Sequence, residues 1–458
     1  MSNHTPISFS LYTLALIFLM TGLSSSLLAQ KKNSSDTIPY LTLDQCIAYA
    51  MEHQPGLLQS NLEISIAKKT NAINLSAWLP QVNLLANATH YNELPTTFSI
   101  NSANPEGPLI KGHPGVENTV IPQLSATETV FSPDVYYAAK SAHLYLQQAQ
   151  QANDSTKINL ITNVSKTFYG LLLTLEQMNV LQEDTARLAK NLRDTYHQYV
   201  GGIVDKTDYK EASITLNNSK ALLKQAKENV RPQYAVLKQL IGYEPAKEFS
   251  VSFDTVQMMK QIHIDTAQQL QYEKRIEIQE LETAKALQQQ NIAYYKSQYL
   301  PTVSVFYNYY YEYESNNTAT LFNQAYPYSY TGASLNLPLF TGWRRQESIQ
   351  RAKLQGQLLD WSETGLRSRI YSEYTSALAN YRSNLYDLYS LKENVAMARD
   401  VYGVVSLQYK QGVVAYLNVI TAESNLIASE MSYLNALFQL LQSKVDLEKA
   451  MGNTQVKR

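Results

Sequence analysis

The sequence predicts a mixed α and β membrane protein in which one strand-hairpin/long-helix unit is used twice. Three observations carry this. The chain repeats itself: Thr129-Val130-Phe131-Ser132-Pro133 returns as Pro338-Leu339-Phe340-Thr341-Gly342, Tyr199-Val200-Gly201-Gly202-Ile203-Val204 as Tyr409-Lys410-Gln411-Gly412-Val413-Val414, and Leu240-Ile241-Gly242 as Ala450-Met451-Gly452, at offsets of 209 or 210 residues. A fourth pair, Trp78-Leu79-Pro80 and Tyr299-Leu300-Pro301, stands 221 apart, so one insertion separates it from the rest. A unit of this kind usually cannot bury its own apolar face and needs its copy beside it. Two helical runs of roughly 66 residues would each be about 100 Å long, too long for a compact domain. Four stretches of roughly 11–13 residues alternate apolar and polar with period two, enough for the ~9–11 that cross a bilayer at a tilt.

The start of the chain sets the compartment. Leu11 to Leu23 is an apolar run, followed by small and polar residues and then Leu27-Leu28-Ala29-Gln30. Residues 1–29 are expected to be a secretory signal cut after Ala29. The run is shorter than the ~18 residues a spanning helix wants. Met1 to Ser10 carries no Lys or Arg, which departs from the usual signal; no Cys stands at the cut, so a lipoprotein is not expected. No later stretch is long and apolar enough to span as a helix, so any crossing is by strands.

The first unit, 30–242, is read in order. A helix is expected over about 44–78, capped by Thr42 or Asp44 and ended by Pro80. A strand follows over about 81–93, with Val82, Leu84, Ala86 and Ala88 on one side. A long polar loop runs to Asn118. The second strand, about 119–131, sets Gln123, Ser125, Thr127 and Thr129 against Leu124, Ala126 and Val130, with Glu128 out of place on the apolar side. A helix over about 134–199 carries a coiled-coil seam from Ile161 through Phe168, Leu175, Leu181 and Leu188 to Tyr199. Gly201-Gly202 breaks it before a helix over about 205–240. Residues 243–264 are a linker with a short strand near Phe249.

The second unit, 265–452, repeats the order. Its helix is expected over about 265–299, its strands over about 302–314 and 329–341, and its long helix over about 343–409 with a seam from Tyr381 to Tyr409. Gly412 breaks that helix before a last one over about 417–451, and 453–458 is a tail. Val303, Val305, Tyr307, Tyr309, Tyr311 and Tyr313 share one face of the first of these strands; Phe306 and Tyr310 fall on the other with Ser304 and Asn308. Four strands cannot close a barrel, open edges cannot face lipid, and the small closed barrels have about eight. Several chains must pool strands. Two chains or three both satisfy the periodicity.

Composition excludes other classes. A net charge of −1 without a long basic run calls for no nucleic acid. The single Cys46 excludes a disulfide framework, and seven scattered His show no metal-ligand spacing. No nucleophile elbow or phosphate loop is present, so neither an enzyme nor a cofactor is expected. Glycine is scarce, at 16 residues, which suits long helices. There are 34 Tyr against 11 Phe and 3 Trp, and tyrosine favours boundaries that are apolar on one side and wet on the other.

The Leu41–Leu57 start, the Trp78-Leu79-Pro80 junction, the Pro338-Leu339-Phe340-Thr341-Gly342-Trp343-Arg344-Arg345 segment and the Tyr409-to-Gly452 stretch resemble the TolC family of outer-membrane efflux proteins, over almost the whole mature length. The resemblance implies a homotrimer in the outer membrane of a Gram-negative bacterium. Twelve strands would form one transmembrane β-barrel, continuous with a coiled-coil tunnel across the periplasm, where the 243–264 linker would lie. It implies a passive conduit fed by a periplasmic adaptor and an inner-membrane pump of the RND, ABC or MFS type. The alternative is a structural coiled-coil protein at the surface or across the periplasm, without a transport role. It explains the long helices but not the strands.

The same resemblance points to site residues. The family closes its periplasmic end by coiling the inner helix pairs, often with acids near the constriction. Those acids fall where Asn418 and Thr421 stand, both uncharged. Aperture candidates are therefore Asp205, Asp208, Tyr416, Leu417, Asn418 and Thr421. For Asp205 and Asp208, capping a helix start is the preferred reading and a share in gating the second. The turns at Gly202 and Gly412 are where the family meets its adaptor, and each also ends a helix. Tyr307, Tyr309, Tyr311 and Tyr313 are expected on the outward aromatic face of the barrel.

Overall fold

The computed structural model describes residues 40–100, 106–252, 262, 264 and 269–454. The expected signal, residues 1–29, and the last four residues of the tail lie outside the described residues. After β1 (Tyr40–Leu41), Thr42 starts α1 (Leu43–His53) with a capping box: Gln45 N donates to Thr42 Oγ1 at 3.4 Å and Thr42 N to Gln45 Oε1 at 2.9 Å. The one helix expected over 44–78 is in fact two. Pro55 excludes the helical region for its predecessor, so Gln54 is extended (φ −70, ψ 121), and the chain restarts as α2 (Pro55–Leu75) with Pro at the first turn.

A 3-10 turn, Ser76–Trp78, leads to β2 (Gln81–His90), three residues shorter than expected, and the following loop holds a small hairpin, β3 (Thr97–Ser99) with β4 (Ile110–Gly112). Then come β5 (Asn118–Phe131), α3 (Pro133–Val200) and α4 (Lys206–Ile241). The short linker strand is β6 (Ser250–Val251), parallel to β1.

In the second unit α5 (Ile276–Ser297) begins later than the expected 265, of which 265–268 lie outside the described residues. A 3-10 turn at Tyr272–Lys274 and an extended Arg275 (φ −75, ψ 127) precede it. β7 (Thr302–Ser315) and β8 (Ala325–Asn336) follow, then α6 (Arg344–Lys410) and α7 (Tyr416–Ala450). β8 is displaced toward the N-terminus from the expected 329–341. Pro327 sits inside it opposite Tyr311, which an edge strand tolerates, and pairing stops two residues before Pro338, which has no N–H for the ladder.

The main sheet is antiparallel in the order β2-β5-β7-β8, and the β5–β7 pair joins the two units. Its register sorts the side chains. Val82, Leu84, Ala86, Leu124, Ala126, Val303, Val305, Ala333 and Leu335 fall on one face, with the tyrosines at 307, 309, 311 and 313. Gln81, Asn83, Asn87, Gln123, Ser125, Thr127, Ser304, Asn308, Ser334 and Asn336 fall on the other. Glu128 stands opposite Val305, on the apolar face near its α3 end, beside a bulge between Thr129 and Phe131.

The helices form a row: α2 against α3, α3 against α5, α5 against α6. Farther from the sheet α3 packs on α4 and α7, and α6 on α7. The core lies partway along these rods, where Phe168, Leu171, Leu172, Leu237, Ile241, Phe438 and Leu440 meet Cys46 of α1. Burial pushes the Cys46 thiol up to about 12, in keeping with a small core residue. Tyr381 Oη ties the linker to this core, donating to Ile262 O at 2.9 Å and accepting from Ile264 N at 3.1 Å. Gly242 (φ +71) passes so close that a Cβ there would stand 2.4 Å from His53 O.

Candidate functional site

The α3–α4 and α6–α7 hairpins end in matching turns. In the first, Ile203 N donates to Gln198 O at 2.8 Å and Gly202 N to Tyr199 O at 3.0 Å; in the second, Val413 N donates to Gln408 O and Gly412 N to Tyr409 O, both at 2.9 Å. This is the bonding of a left-handed helix end, which requires φ near +70 and so glycine. Gly202 has φ +70 and Gly412 φ +75, and nothing lies within 4 Å of where a Cβ would point at either.

The helices that follow begin differently. Asp205 caps α4, its Oδ1 accepting from Lys206 N at 2.6 Å. Asp208, in the first turn, is half-buried, and its carboxyl is raised above the ordinary range by burial and then by Asp205. α7 starts at Tyr416 with no side-chain cap. Tyr416 is buried with Ala212 and Val419, its ring 5.2 Å from that of Tyr409, and desolvation holds its phenol well above its usual value. Leu417, Asn418 and Thr421 point away from this packing and are exposed. The six aperture candidates thus separate: Tyr416 belongs to the interior of one chain, and three others form a free face on α7.

Deeper in the hairpins lies a group that sequence reasoning missed. Asp184 and Glu423 are each 1 % exposed, and Arg187 bridges them. Arg187 Nη2 donates to Asp184 Oδ1 at 2.9 Å and Nε to Glu423 Oε1 at 2.8 Å. Ser219 Oγ donates to Asp184 Oδ2 at 2.8 Å, Asn191 Nδ2 to Glu423 Oε2 at 3.4 Å, and the guanidinium lies 5.3 Å from the Tyr402 ring centre. Burial raises both carboxyls, against the lowering pull of Ser219 and Arg187 on Asp184 and of Arg187 on Glu423. Burial alone would lower the Arg187 guanidinium, but its bond to Glu423 leaves it raised. The group locks α3 to α4, α6 and α7. Arg187 three residues after Asp184 was the local half of the signal; Glu423 is 236 residues away.

The sheet ends are also marked. Tyr309, Tyr311 and Tyr313 lie toward the β7–β8 loop, with Tyr313 against Phe322 (5.2 Å). At the helix end Phe340 and Trp343 are exposed and in edge contact at 6.3 Å. Arg345 fastens this junction, donating to Gln298 O, Leu339 O and Thr341 Oγ1, each at 3.2 Å, with its guanidinium over Tyr299 at 4.3 Å. Aromatic side chains thus stand beyond both ends of the sheet's apolar band. Among the described residues no His/Cys/Asp/Glu group is placed to hold a metal ion.

The family model for outer membrane efflux proteins matches residues 47–243 and 267–453, one stretch in each unit. The outer membrane protein TolC of Vibrio cholerae is 19% identical over 413 residues, covering 88% of this chain and 89% of that one. The probable efflux pump outer membrane protein TtgC of Pseudomonas putida is 22% identical over 422 residues, covering 87% and 83%. Among solved structures, VceC of Vibrio cholerae superposes with a TM-score of 0.69 at 17% identity, covering 90% of this chain and 96% of that one. The Campylobacter jejuni CmeC outer membrane channel does so with 0.71 at 16%, covering 91% and 87%. These findings meet the expectation of a TolC-like protein of the outer membrane: the chain belongs to the outer membrane efflux protein family.

Proposed function

We propose that three copies of the chain form a passive conduit through the outer membrane of a Gram-negative cell. A periplasmic adaptor and an inner-membrane pump of the RND, ABC or MFS type would feed it. The observation that carries this reading is that sheet and helix row are open at the same two ends. The sheet ends at β2 and β8, and the helix row at α2 and α6, which continue those strands. The two end helices bare apolar side chains: Leu62, Ile66 and Ile73 on α2, Leu354, Leu358 and Trp361 on α6. One neighbouring copy therefore pairs the strand edge and covers the helix face together.

Three copies, the number the family resemblance implies, give twelve strands with the apolar face in lipid and the polar face around a lumen. The hairpin tips would then converge in the periplasm, with the Gly202 and Gly412 turns toward the adaptor. The aperture would be drawn from Leu417, Asn418 and Thr421 on α7 with Asp205 and Asp208 on α4, and Tyr416 would support α7 from behind. A purely structural coiled coil leaves the apolar sheet face unexplained. Planar-bilayer recording tests the reading. Purified protein should give unitary current steps, and a folded oligomer that never conducts would overturn it.

A further inference from the structure

The polar face of the sheet carries a second aromatic set, on the side away from Tyr307–Tyr313. Phe306 and Tyr310 of β7 meet Tyr328 and Tyr330 of β8 in one continuous ladder. Tyr310 stacks on Tyr328 at 4.7 Å with 6° between planes, and on Tyr330 at 5.8 Å with 18°. Tyr330 stands edge-on to Phe306 at 6.2 Å, and the Tyr310 and Tyr330 hydroxyls are 3.1 Å apart. Phe306 keeps its place because Gly332 faces it; a Cβ at 332 would stand 2.5 Å from its ring. The rings are held by one another, so little rotamer freedom remains to be lost on binding. Tyr328 and Tyr330 still expose 45% and 47% of their surface.

The charge beside the ladder has one sign. Glu312 and Glu314 lie on the same face toward the β7–β8 loop, and Glu312 is opposite Tyr326. None of β2, β5, β7 and β8 contains a Lys or Arg. On the barrel reading above, on which this inference rests, the ladder faces the lumen and recurs once per chain.

We propose that the Phe306–Tyr310–Tyr328–Tyr330 ladder is a transient binding platform for planar organic cations leaving through the barrel. A flat ring adds to the stack. Its positive charge is attracted by the faces of the tyrosines and by the carboxylates above them. A neutral ring gains the stacking alone, and an anion is repelled. The weakness of each contact in a wet lumen suits release, since a conduit must let its cargo go.

The test uses the full chain in detergent and the planar cation ethidium, followed by fluorescence anisotropy, with the planar anion fluorescein as control. Ethidium should bind saturably and fluorescein should not. Tyr310→Leu with Tyr328→Leu should weaken ethidium about 2- to 30-fold, the range of cation–π contacts, while Tyr328→Phe should keep it. Glu312→Gln should weaken it about fivefold, the effect of one charge at ~4 Å in water. Equal binding of the two dyes, or ethidium binding that ignores the Tyr→Leu pair, overturns the proposal. Bilayer recording on the same preparations separates the two readings. Channels that conduct but do not bind ethidium defeat the platform alone. Protein that never conducts defeats the conduit and the platform together.

Discussion

Replacing Arg187 with Met removes the cation that two buried carboxylates share. Asp184 would keep Ser219, and Glu423 would keep only the long bond from Asn191. Breaking a buried ion pair from one side costs about 3–5 kcal/mol, because the remaining charge is stranded. The Arg187 side chain is 27% exposed, so water already screens part of its attraction, and about 2–3 kcal/mol is the better expectation. That loss is local to the packing of α3 on α7. Hydrogen exchange measures it there: amides from Val419 to Leu426 should exchange about 30- to 150-fold faster, at ~1.4 kcal/mol per tenfold. Adding Glu423→Met should recover part of the protection, because it removes one of the two stranded carboxylates, while Asp184 stays buried with Ser219 alone. Unchanged exchange in Arg187→Met, or a double variant as loose as the single one, would refute this account of the hairpin packing.

Four further outcomes are expected. Asp184 and Glu423 have folded pKa values above the ordinary 3.8 and 4.5, so the native hairpins bind more protons than unfolded ones in the window above those values and are tightened as pH falls through it; exchange around 423, corrected for its intrinsic rate, should be slower near the lower end of that window than at neutral pH. Glu277 runs the other way: burial would raise it, but Arg275 at 3.0 and 2.9 Å leaves it lowered, so its contribution is lost as pH falls below 4.5, and the start of α5 should loosen there. Gly242→Ala meets both a positive φ and the His53 carbonyl and should abolish most of the folded yield, whereas Gly412→Ala meets open space and should cost about 1–2 kcal/mol, read as a small shift in a thermal scan. Asn418→Asp adds a charge on the free face of α7, worth roughly 1 kcal/mol of repulsion per pair at ~4 Å in water if copies converge there; cation selectivity in bilayers should rise, and no change there with a strong effect of Asp208→Asn would move the constriction to the first unit.

Much of this fold was legible because period and length are local properties. The alternation through Val303, Val305 and Tyr307 and the runs up to Tyr199 and Tyr409 need no tertiary context. Two of the misplacements fall at proline. Pro55 lies inside the expected 44–78 helix, although it starts a new one, and Pro327 lies outside the expected 329–341 strand, although an edge strand accommodates it. That second error hid the inner aromatic ladder, because Tyr328 then had no strand register to bring it onto Tyr310. The turns at Gly202 and Gly412 were readable from their glycines alone. The Asp184–Arg187–Glu423 group was not, because its halves come from different copies of the repeat, and nothing local marks Glu423 as buried.

The account depends most on the claim that four strands per chain are completed by other copies. Native mass spectrometry of the detergent-purified protein tests it most directly. The account predicts a single species of three chains that persists as detergent is stripped. A stable folded monomer, or a dimer with eight strands, would contradict it.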